Sequence, residues 1–173
     1  RRRHSFPTGR SSDLLVGQHR VLGAETALLD PAAFTRSITQ GVRSMRNQAA
    51  GVAARCPSTS IVLAGFSQGC AMTLQTGLRH PQKLAGLMCL SGYLPLADKI
   101  ATERSNANQH TPIFMAHGRG DNVVLINRAE ASRDVLGKLG YAIDWREYMM
   151  PHSVCEEEID DIGDWLRTVL AKA

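Results

Sequence analysis

Three side chains far apart in the chain are of the types that together activate a hydroxyl: Ser67, Asp121 and His152. A serine hydroxyl is a weak nucleophile near neutral pH and needs a base to take its proton. Imidazole can accept that proton and hand it on to a leaving group. A carboxylate behind the imidazole fixes its tautomer and stabilises the imidazolium that forms. Acting as a unit, the three residues support nucleophilic acyl transfer. Singly, each has a plainer explanation. Gly-x-Ser-x-Gly at 65–69 is short enough for chance to supply, Asp121 sits in the turn-like string Gly-Arg-Gly-Asp-Asn, and His152 stands where a helix cap could fall.

The elements that must position them follow from the apolar pattern. Ile61 to Ala64 is a continuous apolar run, expected to be a strand buried on both faces, as in parallel sheets. It leads into Gly65-Phe66-Ser67-Gln68-Gly69, and residues 70–78 follow with apolar side chains at helical spacing. Strand, Gly-flanked turn and helix are the context of a nucleophile elbow. Both glycines are expected where crowded backbones leave no room for a Cβ.

Upstream, Asp30-Pro31 should cap and open a helix reaching about Ala54, with Phe34, Ile38, Val42, Met45 and Ala49 on one face. Leu14-Leu15-Val16 reads as a strand remnant. Downstream, helix 68–79 should stop at His80-Pro81, with His80 as a charge at its C-terminus. Strands are predicted at 84–90, 112–116 and 141–148, a short helix plus loop at 96–110, and a helix at 122–139. The last helix should open with the capping box Ser153-x-x-Glu156 and three glutamates suited to its dipole. Its buried stripe is Ile159, Ile162, Leu166 and Val169, flanked by Trp165. Strands alternating with helices imply an α/β fold built on a mostly parallel sheet. In such sheets functional groups gather where strands end, and Ser67, Asp121 and His152 each follow a predicted strand. His117 reads as a hydrogen-bonded structural residue and Cys70 as a small packed one.

The bulk numbers exclude several function classes. At 173 residues the chain is one domain with room for a real core, and no apolar run approaches membrane-spanning length. Of the net charge of +4, residues 1–14 supply +3, four arginines against Asp13, so the basicity marks no nucleic-acid surface. Cys56, Cys70, Cys89 and Cys155 lack metal-ligand spacing and read as reduced, packed thiols. No metal is expected.

Four blocks carry a resemblance: Gly-Phe-Ser-Gln-Gly at 65–69, Ser-Gly-Tyr-Leu-Pro at 91–95, His-Gly-x-x-Asp-x-Val-Val at 117–124 and Pro-His-Ser-Val at 151–154. In this order they are similar to the acyl-protein thioesterase/bacterial carboxylesterase family, over about residues 30 to 173. The resemblance implies an α/β-hydrolase three-layer sandwich and a small cytoplasmic esterase for short-to-medium acyl esters or thioesters, without cofactor. Ser67, Asp121 and His152 match the family's triad positions, and the Gln68 backbone N–H matches one oxyanion donor. Tyr93, Leu94 and Leu96 lie in a loop that lines the acyl pocket in the family, although they could equally pack the end of the sheet. A homodimer is compatible with this reading.

The family also has an earlier strand ending in a Leu-His-Gly-Leu-Gly-like loop that supplies the second oxyanion donor. No such sequence precedes Ser67. The expectation is therefore a domain over residues 15–173 missing its first strands, at least one βαβ unit of roughly 30 or more residues. Residues 1–14 resemble sequencing-adapter read-through and are read as non-native, disordered and outside the fold. Ile61 to Ala64 would then be an open apolar edge prone to aggregation, and the chain a weak catalyst. The alternatives are an inactive fragment that self-associates through that edge, or a related lactone hydrolase or peptidase. Ser67 argues against the first of these relatives, which usually carries Cys at the nucleophile, and Ser-Gly-Tyr-Leu-Pro disfavours the second.

Overall fold

The computed structural model describes residues 31–55 and 57–171, with side chains described from 36 onward except at 37 and 38. The expectations for residues 1–14, Leu14-Leu15-Val16, Phe34, Ile38 and Cys56 lie outside the described residues. The elements run α1 (Pro31–Ala53), β1 (Val62–Phe66), α2 (Gln68–Gly77), β2 (Gly86–Leu90), α3 (Ala97–Glu103), β3 (Ile113–Gly118), α4 (Ile126–Lys138), β4 (Ile143–Tyr148) and α5 (Glu156–Leu170). All four strands pair in parallel, in the order β1-β2-β3-β4. Every strand therefore points its carboxyl end at the same rim.

Alternation along the strands splits the core in two. One face carries Ile61, Leu63, Leu87, Cys89, Ile113 and Met115 against Leu74 and Leu78 of the α2 segment, Leu136 of α4 and Ala49 of α1. The other carries Met88, Phe114, Ala116 and Tyr148 against Trp165 and Val169 of α5. Three layers result, and the sheet's middle is dry: every residue of β3 is buried. The expected edge at β1 is there in backbone terms, because β1 has one strand neighbour among the described residues. Its side chains are better covered than expected, with Ile61 and Leu63 buried and Val62 and Ala64 half-buried.

Several expectations need correction. The Ser153-x-x-Glu156 capping box does not form: the N-cap is Cys155, with no side-chain cap bond. The Ser153 N–H instead donates to Pro151 O at 2.8 Å, which closes a turn before the helix starts. The three glutamates do occupy the first turn of α5. Ile159 is exposed, and Trp165 is not a flanking residue but a buried one, tilted against Phe114 at a centroid distance of 5.6 Å. His80, which follows the α2 segment, is buried, its Nδ1 lying 2.9 Å from Gln82 O, while Asn108 Nδ2–H donates to both His80 O and Gln82 O. Residues 122–125 form a loop, so α4 begins four residues later than the apolar spacing suggests.

Glu158 violates the usual rule for buried charge. It is fully buried on α5 and neither carboxyl oxygen has a hydrogen-bond partner of ordinary geometry among the described residues. Burial pushes its carboxyl up to about 7, opposed by the Cys155 backbone N–H. The unfolded chain releases this proton first, from the ordinary glutamate range of about 4.3, so stability is lost as pH rises from there to about 7. Glu158→Gln should flatten this dependence and raise stability above pH 7 by about 1–2 kcal/mol. Urea unfolding at acid and at alkaline pH measures it; a variant less stable than the parent at alkaline pH would contradict the assignment.

Candidate active site

Ser67 occupies the turn between β1 and α2 with φ 55 and ψ −116, a backbone conformation that costs a non-glycine residue of order 1–3 kcal/mol. Its neighbours hold it there. The Ser67 N–H donates to Leu90 O at 2.8 Å, extending the strand pairing one residue past β1, and Ser67 O accepts from Cys70 N–H at 3.1 Å. Gly65 is required by space, since a Cβ there would collide with the backbone of Gly69 and Cys70. Gly69 is a correction: none of the described residues lies within 4 Å of where its Cβ would stand. Only the first glycine of the pair is demanded by crowding.

Asp121 is delivered by the loop after β3, and His152 by the loop after β4. The two loops are stitched together by backbone bonds from Arg119 N–H to Tyr148 O, 2.8 Å, and from Gly120 N–H to Met150 O, 3.0 Å. Gly118 permits this approach, because a Cβ there would meet the carbonyl oxygens of Met150 and Pro151. The result is a connected relay. His152 Nε2 lies 3.0 Å from Ser67 Oγ, and His152 Nδ1 lies 2.7 Å from Asp121 Oδ2. In the working tautomer the serine hydroxyl donates to Nε2 and Nδ1–H donates to the carboxylate. The structure thus brings together the three residues singled out by type and spacing.

Electrostatics favour that arrangement. Burial works against the charge on Asp121, but hydrogen bonds from His152 and from the N–H groups of Val124 and Val123 outweigh it and hold the carboxyl below its usual range. Asp121 Oδ1 accepts both backbone N–H groups, at 2.8 and 2.9 Å. The carboxylate stays ionised down to acid pH. Its stabilising share is present above the ordinary carboxylate range and is lost as pH falls through its lowered value. Only 16% of the His152 side chain is exposed, and the Phe66 ring packs on the imidazole with centroids 4.8 Å apart. Phe66 fills the unspecified position of Gly-x-Ser, so its place beside Ser67 is the signal the sequence offers for it.

The remaining predicted residues are spread around this centre. Gln68 is the first residue of α2, directly after Ser67. Leu94 is buried in the core, with its N–H donating to Ser132 Oγ at 2.8 Å, so it packs the sheet's end. Tyr93 is half-buried under the Arg128 guanidinium, 3.6 Å from the ring centroid, and Leu96 is 53% exposed with φ 51. Burial, and then the adjacent Cys70 thiol, push the Cys89 thiol well above its usual range, as befits an inert packed pair. Among the described residues no cluster of three His, Cys, Asp or Glu side chains could hold a metal ion, and no helix is long and apolar enough to cross a membrane.

Comparison with known proteins agrees with this architecture. Acyl-protein thioesterase 1 of Neurospora crassa is 45% identical over 119 residues, covering 67% of this chain and 49% of the relative. The Yarrowia lipolytica protein of the same name is 43% identical over 113 residues, covering 64% and 50%. The chain spans about half the length of the curated relatives it matches. Among solved structures, Arabidopsis thaliana SOBER1 superposes with a TM-score of 0.70 at 27% identity, covering 82% of this chain and 66% of that one. Zea mays acyl-protein thioesterase 2 gives 0.62 at 25% identity, covering 76% and 66%. Residues 30–170 match the phospholipase/carboxylesterase family, and the chain belongs to that family of α/β-hydrolases.

Proposed function

We propose that the chain is a serine esterase that hydrolyses short-to-medium acyl esters or thioesters through an acyl-enzyme on Ser67. One observation carries the reading: a single imidazole within hydrogen-bond reach of both Ser67 Oγ and Asp121 Oδ2. Ser67 Oγ attacks the acyl carbon as its proton passes to His152 Nε2, and the alcohol or thiol departs with that proton. Water then attacks the acyl-serine, again giving a proton to Nε2, and the acid is released. Asp121 offsets the imidazolium charge in both halves. The Gln68 N–H is assigned to the oxyanion, and no second donor is assigned on this chain.

The rim of the sheet that carries Ser67 suits an acyl group. Phe66 is exposed at the end of β1 beside Ser67, and Leu96, Val123, Leu125, Met149 and Val154 are exposed apolar side chains on the loops after β2, β3 and β4. Tyr93 and Leu96 are assigned to the acyl side of the site, with Leu94 supporting them from the core. The names of the relatives, acyl-protein thioesterases and a probable rice carboxylesterase, point to the same bond class. The substrate is taken to be a small ester or thioester met in the cytoplasm. A second reading, self-association through the edge of β1, is favoured by that strand's single neighbour among the described residues. Sedimentation at several concentrations tests it; a monomer throughout would remove it.

Hydrolysis of p-nitrophenyl acetate is the direct test of the esterase. Ser67→Ala should lower the rate by about 10³-fold or more; a variant as active as the parent would end the reading. Asp121→Asn should fold normally yet lower kcat by about 10³–10⁴-fold, since the amide favours the wrong imidazole tautomer.

A further inference from the structure

We infer that His117 is a positioning residue that aims the Asp121 carboxylate at His152. The inference rests on the esterase reading. His117 is the penultimate residue of β3 and is fully buried. Its Nε2 lies 2.7 Å from Val124 O, so that nitrogen carries a proton and donates it there. The same Nε2 is 3.3 Å from Asp121 Oδ2, the oxygen that receives His152 Nδ1 at 2.7 Å. The N–H is committed to the far end of the loop that carries Asp121, and the same edge of the ring stands against the carboxylate oxygen that His152 uses.

The hydrogen-bond inventory of that carboxylate explains why this matters. Oδ1 is fixed by two backbone N–H groups, Val123 and Val124. Oδ2 faces two imidazoles, His152 with 16% of its side chain exposed and His117 buried in the core. The carboxylate is therefore held on one side by loop backbone and bordered on the other by His117. Val124 is held at both ends of its peptide groups, its N–H by Asp121 and its C=O by His117. Release of the imidazole frees the loop and the oxygen together.

Stability alone would not select this ring. His117 Nδ1 is buried with no hydrogen-bond partner among the described residues, a defect that costs about 1–3 kcal/mol. A packed apolar residue would avoid that cost, and local rules are broken in this way chiefly at functional sites. The plain role expected of His117 as a hydrogen-bonded structural residue is thus extended by what it bonds to.

The test uses His117→Gln and His117→Asn. Gln can place its amide nitrogen where Nε2 stands, whereas Asn reaches only the position of Nδ1. Both are checked for the parent's circular dichroism. On p-nitrophenyl acetate, the Asn variant should lose about tenfold in kcat with KM within about twofold, and the Gln variant should recover to within about threefold of the parent. In parallel, the downfield proton resonance of the His152–Asp121 hydrogen bond should persist in parent and Gln variant and broaden or move upfield in Asn. Full kcat and an unmoved resonance in the Asn variant would overturn the inference. So would equal losses in both variants, which would mark a purely structural ring. The resonance reads Asp121 directly, so the inference can fail while Ser67-dependent hydrolysis stands, and hold where hydrolysis does not depend on Ser67.

Discussion

An imidazole can serve two partners at once only when both lie within about 3 Å of its two nitrogens and near the plane of the ring. Here that constraint spans Ser67 and His152, 85 residues apart in the chain, and Asp121 between them. It is met because a four-stranded parallel sheet delivers every strand end to one rim, and because the loops after β3 and β4 are bonded to each other before either reaches the site. Two glycines make the approach physically possible. Gly65 lets β1 turn sharply into α2, and Gly118 lets the Asp121 loop touch the backbone just ahead of His152. A methyl group at either place would push the relay apart.

The site is also where the fold departs from local comfort. Ser67 has a positive φ, as do Ser91 and Leu96 in the neighbouring loop. Asp121 is buried yet charged, and His117 is buried with one nitrogen unpartnered. Each is unfavourable on its own. The compensation comes from the dry, fully buried β3 and from the layers of α2 and α5 packed on either face of the sheet. A rigid scaffold of this kind holds the three groups aligned in advance.

The alternation of strands and helices, the elbow and the order of Ser67, Asp121 and His152 were legible in the chain because each rests on local rules: period, turn chemistry and strand-end placement. What was not legible depends on partners distant in sequence. The capping box at Ser153 failed because the backbone there is spent on the Pro151–Ser153 turn that presents His152. Gly69 looked as necessary as Gly65 from the five-residue pattern, and only the packing separates them. Leu94 and Leu96 are two residues apart in one loop, yet one enters the core and the other faces outward, since Ser132 of α4 draws the Leu94 backbone inward. No spacing rule contains that contact. The pairing of His117 with Asp121 was within reach, being four residues apart, but only the fold gives both the same buried neighbour in Val124.

The central claim is that His152 bridges hydroxyl and carboxylate so as to make Ser67 the one reactive serine. A fluorophosphonate probe followed by peptide mapping tests it without assuming any substrate. The account predicts a single adduct on the peptide carrying Ser67, nearly abolished in a folded His152→Ala variant. Labelling that is absent from Ser67, or that survives unchanged when His152 is removed, would contradict it.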